Sequence, residues 1–392
     1  MLLIDPPNAP GHGRLWSHLA SDTSYDELHR FAQLLGVPRR GFDRDHYDIP
    51  AERYEAVVAA GAVPVSSREL IVRVSEAGLR RRKARTLGPR RPGRTLVRPP
   101  RLRSGDTVAV VAPAGPVGES QFEDGLDVLR SWGLQVRTAV GDVHPELGYL
   151  AGTDDQRARE LTRAWCDPDV RAVFCGRGGY GSQRMVDLLD AVALAEAGPK
   201  LLVGFSDITA LHQWFGLRLG LATVHGPVVT SLAADAESAD HLRALLFHGG
   251  PVRLAGGAPL VPGSADGVLS GGNLALLASS IGTAEAETAR GTIVVLEDVA
   301  EDVYRVDRML TQLLRSGWLA GVRGVVLGDF SDCAPAELVR PMLLDRLAAL
   351  GVPVLMDAPI GHAPRNLAFC YGVPAHLDAD AGTLELRVAA LT

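Results

Sequence analysis

Cysteine, aromatic residues and long apolar runs are all scarce in this chain. Only four of its 392 residues are cysteines, and no two of them form a CxxC pair. This count argues against a disulfide framework and against a cysteine-rich zinc site. No stretch reaches the roughly 18 uncharged apolar residues that a membrane-spanning helix needs. The first residues, MLLIDPPNAPGHGR, lack the basic and apolar regions of a signal peptide. We therefore expect a soluble cytoplasmic protein of two or three domains.

Positive charge is also scarce, except in one segment. Residues 80–103 carry eleven Arg or Lys and no acid, so the remaining 368 residues hold 29 basic and 46 acidic groups, a net charge of −17. An acidic body does not bind nucleic acid by neutralising phosphates. The prolines, glycines and like charges of the basic segment are typical of an extended linker. Contact with RNA, or docking on the acidic body, is the alternative for this segment alone.

This linker, residues 81–102, separates a small N-terminal domain, residues 1–80, from a large C-terminal unit. Each part should fold alone. Residues 103–250 alternate buried β-branched runs such as TVAVVAP with amphipathic helical stretches, which predicts an α/β lobe built on a parallel sheet. Residues 265–392 contain more strand patterns, including TIVVLEDV and GTLELRV, and predict a second, β-rich lobe. The predicted fold class is therefore α/β throughout the large unit.

Loops at the carboxyl ends of parallel strands are where such folds place their chemistry. The first such loop is FCGRGGYGS, residues 174–182, whose glycines leave backbone N–H groups available at a helix start. Such groups bind anions or an oxyanion. The glycine spacing does not match a nucleotide-binding phosphate loop, and a glycine turn between a strand and a helix is also common without any function.

The second loop places Ser206 between the strand LLVGF and a helix. A serine at this junction resembles a nucleophile elbow, in which the N–H of the next residue, Asp207, faces a developing oxyanion. Serine before Asp-Ile-Thr is equally a good helix N-cap, and the spacing alone favours this capping role over a catalytic one. The elbow pattern is only half present, because Gly204 precedes the serine but position 208 is isoleucine.

A serine nucleophile needs a base and a group that orients the base. His362, in the loop PIGHAPRNLAFCYG, lies between small residues and could meet a distant hydroxyl. Glu297 ends the apolar strand TIVVLE, where an ionised group is costly unless it is paired.

Six motifs in order carry a family resemblance: GRGGYGS, VGFSDITALH, TVHGP, LSGGNLALL, VVLEDVAEDVYRVDRML and GHAPRNLAFCYG. Over about residues 103–390 they resemble the LD-carboxypeptidase family of serine peptidases. The resemblance implies that Ser206 is the nucleophile, that His362 is the base and that Glu297 orients it. It further implies an oxyanion hole made by two backbone N–H groups. One belongs to Asp207, and the other to Gly179 in the loop FCGRGGYGS, hereafter the glycine loop. The triad needs neither a metal nor another cofactor.

Family members release the terminal D-alanine of murein tetrapeptides during cell-wall recycling, and the resemblance suggests a homodimer. Asn273 and Arg365 are candidates for binding such a muropeptide, although structural roles are equally open for both. The immunity peptidases of the family instead cleave toxic aminoacyl-nucleotide analogues. An aromatic side chain that stacks on adenine would favour that alternative, but aromatic residues make up only 5% of the chain, and none stands out near the active loops beyond Tyr180, Trp214 and Tyr371. The sequence therefore favours the muropeptide substrate. An alternative of another class is a binding or regulatory module that uses the basic linker.

The N-terminal domain resembles a small bacterial domain of unknown function. Its polar residues have the types that ligate a metal or bind phosphate. The set comprises Asp5, His12, His18, Asp22, Asp45, His46 and Asp48. No pair has a tight ligand spacing, so the sequence favours structural or capping roles for them.

Overall fold

A computed structural model describes residues 1–11, 13–43, 45–79, 93–140, 144, 147–250 and 252–392. The chain divides into two compact units, Met1–Ala84 and Arg85–Thr392. The fold is α/β, as the sequence predicts. No helix in the described ranges is both long enough and apolar enough to cross a membrane.

In its described residues, the smaller unit has a mixed sheet and three α-helices. Its strands are β1 (Leu2–Ile4), β2 (Ala9–Gly11), β3 (Arg14–Ser21), β4 (Phe42–Asp43), β5 (His46–Pro50) and β6 (Val63–Pro64). Its helices are α1 (Tyr25–Leu34), α2 (Tyr54–Ala59) and α3 (Ser67–Glu76). The sheet order is β4-β5-β3-β1-β6, with β2 paired to β3. Buried Ile4, Leu19, Leu28 and Ile49 belong to its main core.

Two sheets form the larger unit. Its strands are β7 (Thr107–Val111), β8 (Gln135–Ala139), β9 (Val170–Cys175), β10 (Leu201–Gly204), β11 (Thr223–His225), β12 (Arg253–Ala255), β13 (Ala258–Val261), β14 (Ser264–Asn273), β15 (Thr292–Val299), β16 (Gly324–Ser331), β17 (Val354–Met356), β18 (Phe369–Tyr371), β19 (Pro374–Asp378) and β20 (Thr383–Leu386). Its helices are α4 (Glu119–Ser131), α5 (Asp154–Cys166), α6 (Ser182–Met185), α7 (Ala191–Glu196), α8 (Thr209–Trp214), α9 (Ala236–His248), α10 (Leu274–Ser279), α11 (Val303–Arg315) and α12 (Ala336–Leu347).

The first sheet has the order β18-β11-β10-β9-β7-β8 and is parallel except at β18. Its inner strands β7, β10 and β11 are buried on both faces, which explains the apolar runs of β7 and β10, whereas the edge strand β8 is largely exposed. Val108 and Val110 of β7 face one core, whereas Ala109 and Val111 face the other. Strand β18 comes from the C-terminal part of the chain, so the first sheet is completed by residues of the predicted β-rich lobe.

The second sheet has the order β12-β20-β19-β14-β15-β16-β17-β13. Its centre, from β14 to β17, is parallel, and its outer pairs are antiparallel. Ile293 and Val295 of β15 lie in the same core as Val108 and Val110 of the first sheet. The two sheets therefore share one hydrophobic core.

The final part of the expected linker is ordered against the larger unit. The N–H of Leu96 donates to the carbonyl of Gly372 at 2.9 Å, and that of Leu102 donates to the carbonyl of Leu246 at 2.8 Å. The Leu102 side chain is buried. Residues 93–102 are therefore not an extended tether, because apolar residues between the charges find partners. Residues 80–92 of the basic segment lie outside the described residues.

This packing predicts unequal effects for two substitutions in the full chain. We expect Leu102→Ala to lower the free energy of unfolding of the larger unit by about 2–5 kcal/mol, because it empties a buried site. Val97→Ala is the control and should cost less than about 0.5 kcal/mol, since the Val97 side chain is 55% exposed. Urea unfolding followed by tryptophan fluorescence measures both, and equal losses would contradict the packing of Leu102.

Candidate active site

Ser206 lies in a strained turn between β10 and α8. Its φ is +63°, a left-handed conformation that is uncommon for a residue with a side chain and typically costs 1–3 kcal/mol. Close packing maintains the turn: a Cβ on Gly204 would lie 3.1 Å from Cys175 Cβ and 3.0 Å from Ile208 Cγ1. The Ser206 side chain caps neither of the two helical turns that follow it. The geometry is that of a nucleophile elbow rather than of a helix cap.

His362 lies between Ser206 and Glu297. Its Nε2 is 3.0 Å from Ser206 Oγ, and its Nδ1 is 2.7 Å from Glu297 Oε2. A carboxylate can only accept, so Nδ1 carries the proton and donates to Glu297. Nε2 is then the acceptor for the serine hydroxyl. The structure thus brings together three side chains that are separated by 91 and 65 residues along the chain.

Glu297 is fully buried at the carboxyl end of β15. Two glycines make room for it, because a Cβ on Gly328 or on Gly361 would lie 3.2 or 3.3 Å from Glu297 Cβ. Gly361 has a φ of +131°, which lets the chain turn over the carboxylate and present the next residue, His362, to it. The glycine before the histidine is therefore required by both space and conformation.

The charge around His362 favours the imidazolium. Burial lowers the pKa of His362, but the hydrogen bond and the negative charge of Glu297 outweigh it. Asp298 and Asp329 add to the same effect, and the net pKa of His362 is raised. The imidazole is thus prepared to accept a proton and to hold the resulting charge.

Side chains behind the histidine loop hold it in place. The N–H of Gly361 donates to Asn366 Oδ1 at 3.1 Å, and the N–H of Asn366 donates to Ser238 Oγ at 2.9 Å. Ser238 lies near the start of α9 and donates in turn to Asp235. Sequence reasoning did not single out Asn366, although a polar residue within an otherwise apolar loop end was the available signal.

The two candidates for substrate binding occupy different environments. Asn273 is buried and caps α10, accepting from the N–H of Leu276 and donating to Asp298. Arg365 is 45% exposed and forms a two-point ion pair with Glu237. Asp298, the residue after Glu297, is buried and belongs to the hydrogen-bond network at the start of α10. Its burial raises its pKa to about 6 while it accepts from Asn273 and from the N–H of Ala275.

The glycine loop passes directly over the serine. A Cβ on Gly178 would lie 2.9 Å from Ser206 Cβ and 3.1 Å from its Oγ, so only glycine fits there. Gly179 follows with a φ of +108°. In the described part of the chain, neither the N–H of Gly179 nor that of Asp207 donates to another group. The Asp207 carboxylate turns away from the serine and accepts from the N–H of Ser182 at 2.7 Å.

Two further histidines near the serine are buried and neutral. His212 donates from Nε2 to the carbonyl of Gly204 at 2.8 Å, and its Nδ1 is 2.8 Å from Thr223 Oγ1. Burial lowers the pKa of His212 to about 4. His225 is stacked on Phe369, and burial lowers its pKa well below the ordinary value. His212 supports the turn through its bond to Gly204, and among the described residues His362 is the histidine with a ring nitrogen at hydrogen-bond distance from Ser206 Oγ.

Family models match most of the described chain. Residues 108–226 match the LD-carboxypeptidase N-terminal domain, and residues 266–377 match the LD-carboxypeptidase C-terminal domain. Residues 2–77 match a domain described as a protein of unknown function, DUF4031.

Three known proteins show the extent of the likeness. A Streptomyces coelicolor protein, SCO6489, whose name assigns it provisionally to the carboxypeptidases, is 57% identical over 305 residues, 76% of this chain and 98% of the relative. The muramoyltetrapeptide carboxypeptidase of Oxalobacter formigenes is 32% identical, with a TM-score of 0.64 over 71% of this chain and 97% of that one. MccF in complex with glutamyl sulfamoyl guanosine shares the fold at 22% identity, with a TM-score of 0.67 over 75% and 99% of the chains.

The contact between the glycine loop and Ser206 predicts a site-specific loss of reactivity. We expect Gly178→Ala to reduce the rate at which a fluorophosphonate labels Ser206 by at least about tenfold, because the new methyl group displaces the hydroxyl. Gly118→Ala is the matched control, since a Cβ at Gly118 meets nothing within 4 Å. Labelling followed by intact-mass spectrometry measures both, and equal rates in the two variants would contradict the contact.

The charge around His362 predicts the order of two pKa changes. We expect the pKa of His362 to lie above 6.5 in the unmodified protein, to fall most in Glu297→Gln and to fall less in Asp329→Asn. Because only neutral imidazole accepts a proton, the labelling rate of Ser206 should rise with pH through the same pKa. NMR titration of the imidazole measures it, with His362→Gln to assign the signal. A larger fall in Asp329→Asn would contradict the dominant role of Glu297.

Proposed function

The chain belongs to the LD-carboxypeptidase family and is a serine-type carboxypeptidase, and on this basis we propose that Ser206, His362 and Glu297 form its catalytic triad. The observation that carries the proposal is the continuous hydrogen-bonded series from Glu297 through His362 to a serine held at positive φ. We further propose that the substrate is a murein tetrapeptide, from which the enzyme releases the terminal D-alanine. The name of the Oxalobacter relative supports this substrate class.

Amide hydrolysis near neutral pH needs a nucleophile stronger than water. In the proposed reaction, Ser206 Oγ attacks the carbonyl carbon of the terminal peptide bond while His362 Nε2 accepts its proton. His362 then gives that proton to the leaving nitrogen of D-alanine, and an acyl-enzyme remains on Ser206. A water molecule, deprotonated by the same imidazole, attacks the acyl carbon and releases the tripeptide. Glu297 holds the imidazole in the tautomer that both steps need.

The negative oxygen of each tetrahedral intermediate needs donors. We propose the backbone N–H groups of Asp207, the residue after Ser206, and of Gly179, the residue after the glycine that contacts Ser206. Each such donor contributes about 3–4 kcal/mol to stabilising the intermediate in a site of this kind. Backbone donors are well suited to this role because the strained turn and the glycine loop fix them before substrate arrives.

A cytoplasmic location, a role in recycling cell-wall fragments and a homodimeric assembly are further parts of the proposal. They rest on the family resemblance. In this proposal Asn273 positions α10. Arg365 is exposed and pairs with Glu237, and a carboxylate of the substrate would compete with Glu237 for its guanidinium group.

One observation favours a second substrate class, an aminoacyl-nucleotide analogue. Of the three aromatic candidates, Trp214 is buried and Tyr371 is half-buried, whereas Tyr180 is 50% exposed. Tyr180 lies next to Tyr149, with ring centroids 6.0 Å apart, and Tyr149 is 53% exposed. Tyr180 belongs to the same glycine loop as Gly178, which contacts Ser206. The carbonyl of Tyr149 lies beside Gly115, whose N–H donates to the carbonyl of Gly178 at 3.0 Å. A pair of exposed rings there could stack on a nucleobase.

Incubation with defined substrates tests the proposal. We expect the full chain to remove one alanine from the free murein tetrapeptide, read by mass spectrometry, and Ser206→Ala to lower turnover by about four orders of magnitude or more. Ser131→Ala, at the exposed end of α4, is the control and should leave turnover unchanged. A Ser206→Ala variant that keeps a tenth of the turnover would exclude the triad. Faster cleavage of an aspartyl sulfamoyl adenosine, with loss of affinity in Tyr180→Ala, would favour the second substrate class.

A further inference from the structure

Antiparallel pairing of β3 with β5 in the smaller unit collects polar residues that are scattered in the sequence. The register places His18 opposite Asp48 and Ala20 opposite His46. His46 and Asp48 are two residues apart on one strand, so they share a face, and cross-strand neighbours on that face bring His18 to them. The spacing of 28 residues between the two histidines carries no ligand signature, which is why the sequence favoured structural roles.

The three side chains converge to within ligand distance. One ligand atom from each of His18, His46 and Asp48 lies within 4.8 Å of the other two. Asp48 Oδ1 is 3.3 Å from His46 Nε2 and 4.0 Å from His18 Nε2. Two ligand atoms on one tetrahedral zinc ion are about 3.3 Å apart. Small side-chain movements therefore suffice to place all three atoms on one ion.

A buried carboxylate stands behind each histidine. His18 Nδ1 is 3.0 Å from Asp5 Oδ2, and His46 Nδ1 is 2.6 Å from Asp45 Oδ1. Asp5 and Asp45 are only 1% and 5% exposed. A carboxylate accepts from Nδ1–H, so each imidazole presents its Nε2 lone pair toward the other histidine and Asp48. This carboxylate–histidine arrangement is the one that orients histidine ligands in metal sites.

A small cavity adjoins the two histidines. It has a volume of about 120 Å³, and α3 contributes its apolar wall through Leu70, Ile71 and Val74. Asp48, on the other side, is about half exposed, which gives an ion a path from solvent. Asp22, another member of the predicted polar set, is not part of this cluster, because it pairs with Arg73 and the N-terminal amine. His12 lies outside the described residues.

We propose that the smaller unit binds one zinc ion through His18 Nε2, His46 Nε2 and a carboxylate oxygen of Asp48. Imidazole nitrogens select transition metals over magnesium and calcium, which prefer all-oxygen sites. Three protein ligands leave a further coordination position for water, as in zinc sites that act on substrates rather than in closed structural sites. The proposal is independent of the peptidase triad, which lies in the other unit and needs no metal.

Metal content of the full chain tests the proposal. The purified protein is stripped with EDTA, dialysed against excess zinc, passed through a desalting column and measured by inductively coupled plasma mass spectrometry. We expect one zinc per chain in the unmodified protein and none retained in Asp48→Asn. Asp48 is partly exposed, so this change should leave the far-ultraviolet circular dichroism unaltered. Asp5→Asn should retain zinc but weaken its affinity about 10–100-fold by isothermal titration.

His376→Gln is the matched control. His376 also has a carboxylate at Nδ1, Asp266 at 3.0 Å, but belongs to the larger unit. It should bind zinc as the unmodified protein does. Zinc retained by folded Asp48→Asn, zinc lost equally in His376→Gln, or preference for magnesium over zinc would overturn the proposal. Fluorophosphonate labelling of Ser206 should be unchanged after EDTA treatment, which separates this site from the proposed peptidase.

Discussion

The hydrogen bond between Glu297 and His362 is the contact on which the active region of the larger unit depends. Glu297 is fully buried, and within the described residues its second carboxylate oxygen has no partner. The hydrogen bond to the imidazole is therefore the main interaction that offsets the cost of burying this carboxylate. A buried carboxylate that lost this partner would be costly, and an imidazole without the carboxylate would have no fixed tautomer. The bond also joins the second sheet to a loop that must reach the first. One contact therefore couples the packing of two sheets to the protonation state of His362.

Several local features exist to accommodate that contact. Gly328 and Gly361 leave space above Glu297, and Gly178 leaves space above Ser206. The positive φ of Ser206 stores strain that the close packing around Gly204 maintains. The buried network of Asn273 and Asp298 continues from the same strand end and fixes the start of α10. The site therefore depends on glycines that leave room for Glu297 and Ser206 as well as on the charged groups themselves.

The two units place their polar residues in different ways. In the larger unit, parallel strands end at one edge and loops carry the reactive groups there. In the smaller unit, two neighbouring antiparallel strands place His18, His46 and Asp48 on one face, and the buried Asp5 and Asp45 orient the imidazoles. Both units use the same pairing of a buried carboxylate with histidine Nδ1, which directs Nε2 outward. In one case Nε2 faces a serine hydroxyl, and in the other it faces a second imidazole and a carboxylate.

The sequence by itself determined the alternation of strands and helices in residues 103–250, because buried runs and amphipathic stretches are local patterns. It also offered Ser206, Glu297 and His362 as candidates, since polar residues after apolar strands stand out, but only the six ordered motifs favoured catalysis over helix capping for Ser206. Only the tertiary structure decided that β18 closes the edge of the first sheet, that residues 93–102 pack on the larger unit and that Asn366 holds the histidine loop. It alone brought His18 to His46. These features depend on strand register and on contacts between residues far apart in the chain, and no local period of hydrophobicity encodes either.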